Sequence, residues 1–108
     1  MRMEIRSQNR VSIKLRGSIE RRLRFVLGRF GNRVNRVTVR LVELHGAGPD
    51  AAKRCKIVVQ LVPAGGVSLE ETGVDFQTVA DRATGRLGRS VHRELERRNS
   101  AKAANTAK

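Results

Sequence analysis

Tryptophan and tyrosine are missing from the 108 residues, and phenylalanine occurs only three times. That scarcity excludes an aromatic-rich core and a sheet studded with base-stacking rings. A single cysteine, Cys55, rules out an internal disulfide and fits a reducing compartment. No stretch approaches the ~18 apolar residues a membrane helix requires, and Met1-Arg2-Met3-Glu4 opens no apolar leader. The two histidines, His45 and His92, stand far apart, and neither an HExxH string nor a Cys-His cluster offers zinc ligands. A P-loop and a G-x-S-x-G turn are equally missing. The expectation is a cytoplasmic protein that is not an enzyme, with no catalytic residue, cofactor, metal, membrane or small-molecule substrate.

Acidic residues are scarce too: 10 Asp and Glu face 23 Lys and Arg, for a net charge of +13. Such a field draws polyanions. Eighteen of those cations are arginine and five are lysine. A guanidinium fork contacts phosphate in bidentate fashion and stacks on bases, where an ammonium acts as a point charge. RNA is the ligand class this composition favours.

Periodicity supplies the elements. Met3-Glu4-Ile5-Arg6 alternates as a first strand. Ser12 is placed as an N-cap, and Leu15, Ile19, Leu23, Val26, Leu27 and Phe30 then recur at helical spacing, predicting a helix over 13–30 that stops at Gly31-Asn32. Val37, Val39 and Leu41 mark a second strand near 35–44, and residues 45–50 read as a loop. A third strand near 53–62 carries Cys55, Ile57, Val59 and Leu61 on one face, and a fourth spans about 67–72. Asp75 caps a last helix, predicted over 76–98 from Val79, Ala80, Ala83, Leu87, Val91 and Leu95. The order β-α-β-β-β-α predicts an α+β two-layer sandwich, with a four-stranded sheet and two helices on one face. Residues 1–98 form one domain in this reading, and 99–108, with no large apolar residue, a disordered tail.

On the last helix, 100° steps place Arg82, Arg86, Arg89, Arg93 and Arg97 within an arc of about 80°, opposite the apolar stripe. They make a ridge about 22 Å long at ~1.5 Å per residue. An ordinary solvated face mixes signs at i,i+4, so an acid-free ridge points to a polyanion. The first helix turns Lys14, Ser18, Arg21, Phe25 and, further round, Arg29 away from its core. Phe25 there is suited to stack on a base or to pack on a protein partner. Gly85 and Gly88 leave two readings open, tolerated helix glycines or close packing. Glu70 and Glu71 point to opposite strand faces, so they form no catalytic pair, and one of them is expected to balance Arg6 or Arg40. Cys55, flanked by Lys53, Arg54 and Lys56, reads as a core residue, although those cations would lower its pKa.

Gly28-Arg29-Phe30-Gly31 and Gly85-Arg86-Leu87-Gly88 match the GXXG of KH domains, but the first leads into a strand and the second lies inside one helix. No phenylalanine falls on a predicted strand, which argues against an RRM.

The element order and several strings resemble the ribosome hibernation-promoting factor and ribosome-associated inhibitor family, also called sigma-54 modulation proteins. The resemblance spans about residues 3–98. Met3-Glu4-Ile5 to Val11 is similar to the family's first strand, with Ser12 at its capping position, and Arg33-Val34-Asn35-Arg36-Val37 to its entry into the second. Asp75-Phe76-Gln77-Thr78-Val79-Ala80-Asp81 resembles the entry to the last helix, with Gln77 in place of the usual Tyr and Thr78-Val79 in place of Ala-Ala. Arg86-Leu87-Gly88-Arg89 and Arg93 fall on its basic positions, though the paired glycines are atypical. The resemblance implies binding to rRNA in the decoding region of the small ribosomal subunit, as a short-form hibernation or translation-inhibition factor. Arg82, Arg86, Arg89, Arg93 and Arg97 would then meet rRNA phosphates, with Lys14, Arg21 and Arg29 extending the surface. Two alternatives stay open: a general RNA-binding module (KH-like or a chaperone), or a protein-interaction modulator of a transcription factor.

Overall fold

The computed structural model describes residues 1–8, 10–44 and 51–106, the last six by backbone alone. The elements are β1 (Arg2–Ser7), α1 (Ile13–Leu27), β2 (Val34–Glu43), β3 (Lys53–Leu61), β4 (Gly66–Gly73) and α2 (Phe76–Thr106). The strands form one sheet in the order β1-β2-β3-β4. β1 and β2 are parallel, joined by the α1 crossover, and the other neighbours are antiparallel. This is the α+β sandwich expected, in the expected element order.

Register builds the core. Met3, Val37, Val59 and Val67 lie in one row across the four strands, and Ile5, Val39, Ile57 and Leu69 in the next. Strand alternation sends these rows to one face. Against them pack Ile19, Leu23 and Leu27 of α1 and Val79, Ala80, Ala83, Leu87, Val91 and Leu95 of α2, in a single cluster. Each large side chain fully buried there contributes about 1.5–3 kcal/mol of transfer free energy. The two helices run parallel, since Arg22 pairs with Asp81 and Arg29 with the Gly88 carbonyl, both 59 residues apart.

Local chemistry sets the element ends. The Ser12 hydroxyl accepts from the Leu15 amide at 3.0 Å, starting α1. The helix ends earlier than the predicted Phe30: Gly28–Arg33 tightens into a 3-10 segment interrupted by Gly31 at φ +57°, a backbone that glycine tolerates best. The Asp75 carboxylate accepts from the Thr78 amide at 2.7 Å and from its hydroxyl at 2.9 Å, starting α2. That helix runs to Thr106, eight residues past the expected end. Ala101, Lys102, Ala103 and Ala104 are strong helix formers, so helix replaces the expected disorder over 99–106. The predicted loop at 45–50 and the last two residues lie outside the described residues.

Cys55 is the core residue expected. Alternation sends Arg54 and Lys56 to the opposite face and Cys55 into the core, at 0% exposure. Burial, helped by the charge of Glu71, pushes its thiol up to about 12, so the sequence-adjacent cations do not lower it. At about pH 8 the native thiol is therefore expected to react with an alkylating reagent more than ~100-fold slower than free cysteine. Fast native-state labelling, measured by mass spectrometry against a denatured control, would contradict this burial.

Candidate nucleic-acid interface

The outward face of the helical layer carries all nine residues singled out above. Lys14, Arg21 and Phe25 are exposed on α1, Arg29 on the 3-10 segment that follows it, and Arg82, Arg86, Arg89, Arg93 and Arg97 on α2. The core stripes fix this, because burying Leu23 and Leu87 leaves the other side of each helix to solvent.

Helix contacts then divide the ridge. Arg86 lies 3.5 Å from the Glu71 carboxylate and donates to the Glu70 carbonyl oxygen at 3.3 Å, which ties it to the β4 edge. Arg97 pairs with Glu94 at 2.7 Å, and Arg98 reaches the same carboxylate at 3.2 Å. These hydrogen bonds, that from Arg97 foremost, hold the Glu94 carboxyl below its ordinary range and raise Arg97 in return. Lys14, Arg21, Arg89 and Arg93 have no acidic partner among the described residues, whereas Arg82 lies close enough to the Asp75 carboxylate to help lower it. The free cations therefore run down the middle of the helical face and along its α1 side.

A groove of about 400 Å³ lies between the helices, walled by Phe25, Val26, Arg29 and Arg89 and floored by Gly85 and Gly88. Phe25 is 87% exposed, so its ring has given up most of the burial a phenylalanine ordinarily gains. Arg29 sits over the Phe30 ring at 4.7 Å while its guanidinium donates to the Gly88 carbonyl oxygen at 3.4 Å. The two glycines differ in role. A Cβ at Gly88 would stand 3.1 Å from Val26 Cγ1, whereas one at Gly85 meets nothing within 4 Å. Gly88 lets the helices approach, and Gly85 keeps the groove open. Sequence periodicity names the glycines without this distinction, and it does not reveal the Arg22–Asp81 bridge that fixes the helix pair.

Among the described residues no three His, Cys, Asp or Glu side chains are placed to hold a metal ion. No described helix is long and apolar enough to cross a membrane, which says nothing of strands.

The geometry defines a class: a two-layer α+β domain presenting a cationic, partly aromatic groove between two parallel helices. No protein-family description matches the chain, and no curated protein does. Solved structures do. The chain is similar to the N-terminal domain of Protein Y from Thermus thermophilus, at 28% identity and a TM-score of 0.64, over 85% of this chain and 93% of that one. A ribosomal subunit interface protein from Coxiella burnetii shares the fold at 16% identity and a TM-score of 0.67, over 93% and 99% of the two chains. Both neighbours are members of the hibernation-promoting factor family, and the resemblance read from the sequence holds.

Two expected outcomes test the packing. Gly85→Ala should stabilise by about 0.5–1 kcal/mol through helix propensity, while Gly88→Ala gains nothing because Val26 must yield. Equal gains in denaturant melts would remove the distinction. Acid should act through Glu4, Asp75 and Glu94. Arg6 chiefly lowers Glu4, the Thr78 amide lowers Asp75, and Arg97 lowers Glu94. Groups lowered in the folded state contribute stability above their unfolded values and lose it as pH falls through the folded ones. The thermal midpoint should therefore hold down to about pH 5 and drop below about pH 4, with a shallower drop for Asp75→Asn.

Proposed function

We propose that this protein is a ribosome-associated, non-enzymatic factor of the cytoplasm that binds rRNA in the decoding region of the small subunit and blocks translation there. One observation carries the reading: Arg89, without an acidic partner among the described residues, lines a groove with Arg29 and an outward phenylalanine, and Arg93 stands free one turn further along the same helix. The shared fold supports it, because one structural neighbour is named a ribosomal subunit interface protein.

The mechanism needs no bond to be made or broken. Guanidinium groups on α2 meet backbone phosphates and release counterions, Arg21 and Lys14 extend the contact, and Phe25 offers a face to an unstacked base. Once seated, the domain excludes mRNA and tRNA by its volume. Arg86 and Arg97 contribute less in this scheme, because each must first leave or share an acidic partner.

Co-sedimentation with purified small subunits tests the proposal. Wild type should travel with them at low salt and inhibit translation in vitro. Arg89→Glu/Arg93→Glu should weaken binding at least tenfold, and affinity should fall steeply with salt, with a log–log slope of about 0.7–0.9 per phosphate contact. Protein left at the top of the gradient, or an affinity independent of salt, would sink the reading. Equal displacement by any unrelated RNA would instead favour a general RNA binder.

A further inference from the structure

The helices cover one face of the sheet, and no described element covers the other. On that open face Arg6, Arg40, Lys56 and Glu70 stand in one row across all four strands, and Arg2, Arg36 and Gln60 in another. With Arg54, six cations and two acids, Glu4 and Glu70, occupy it. Glu4 is shared between Arg6 and Arg36 at 2.8 Å each, and Glu70 lies 3.9 Å from Lys56. Arg2, Arg40 and Arg54 are left without an acidic partner among the described residues. Arg40 is flanked in register by Arg6 and Lys56, an arrangement of like charges that destabilises a sheet. A face required only to be wet would use the Thr, Ser and Gln that occur elsewhere on it.

Shape adds to charge. Arg40 lines two adjoining hollows, one of about 480 Å³ with Arg6 and Arg54, the other of about 160 Å³ with Thr38, Lys56 and Val58. All three phenylalanines lie outside the strands, so this face has no ring for a base to stack on. A cationic, ring-free surface suits phosphodiester backbone rather than bases. It also lies across the domain from the helical groove, in a body whose two shorter extents are 23 and 18 Å. That separation exceeds a Debye length of about 8–10 Å at physiological salt, so the two faces act independently.

We propose that the open sheet face is a second phosphate-binding surface, taking the backbone of duplex RNA, so that one protein bridges two RNA segments. The inference shares the RNA chemistry of the reading above and does not depend on the ribosome.

A sandwich assay with the full chain tests it. One short RNA duplex is tethered to beads and a second carries a fluorophore. Wild type should retain the labelled duplex. Arg40→Glu/Arg54→Glu breaks no described ion pair, so its thermal midpoint should match or exceed wild type. This variant should still bind the tethered duplex through the helices, lose at least tenfold in bridging, and show a salt slope shallower by about 0.9 per contact removed. Undiminished bridging with an unchanged slope overturns the proposal, as does displacement by poly-glutamate as readily as by unlabelled duplex. Sheet-dependent bridging without small-subunit sedimentation would fell the ribosomal reading alone, and sedimentation with sheet-independent bridging would fell this one alone.

Discussion

The layer between sheet and helices is the constraint on which everything else hangs. Two rows of β-branched and aliphatic side chains on one sheet face meet two apolar helix stripes, and almost every fully buried side chain belongs to that layer. A sandwich this thin has no second interior. Charge must therefore reside on its two outer faces, and the sum of +13 is divided between them. Segregation of cations is a consequence of how the core closes before it is a property of any ligand.

Within each face, ion pairing is partial. Most observed pairs are half exposed, and exposed pairs contribute about 0–1 kcal/mol, so they organise the surface more than they stabilise it. Their distribution matters more than their strength. Glu71 and Glu94 occupy Arg86 and Arg97 at the margins of α2, while the middle of the helix is left bare. Glu4 and Glu70, on the two outer strands, likewise engage Arg6, Arg36 and Lys56, leaving Arg2, Arg40 and Arg54 without an acidic partner among the described residues. Uncompensated guanidinium groups repel one another at a small cost to stability, which a bound polyanion offsets.

Much of the architecture was legible because it rests on local periodicity. Leu15, Ile19 and Leu23 announce one helix, Val37, Val39 and Leu41 a strand, and Ser12 and Asp75 the caps. The misjudged details depended on through-space neighbours. One of Glu70 and Glu71 was expected against a strand arginine such as Arg6 or Arg40, yet the β3–β4 register sets Glu70 opposite Lys56 and Glu71 pairs with Arg86 of α2. Cys55 has three cations within two residues of it in sequence, and alternation carries two of them away while Glu71 of β4 comes close. The tail lacked apolar residues and read as disorder, but alanine-rich helix needs no burial to extend an existing helix, since nucleation has already occurred.

The RNA-favouring composition that scarce aromatics and acids first suggested came from sequence alone, together with the element order, the core stripes and the arc of arginines on the last helix. These follow from short-range rules: residues three or four apart share a helix face, and residues two apart share a strand face. Tertiary structure alone decided which arginines remain free, how Gly88 seats the helices while Gly85 opens a groove, and that Arg6, Arg40 and Lys56 line up across three strands. Each of these is a contact between segments distant in the chain, fixed by strand register and helix docking, and no local pattern encodes it.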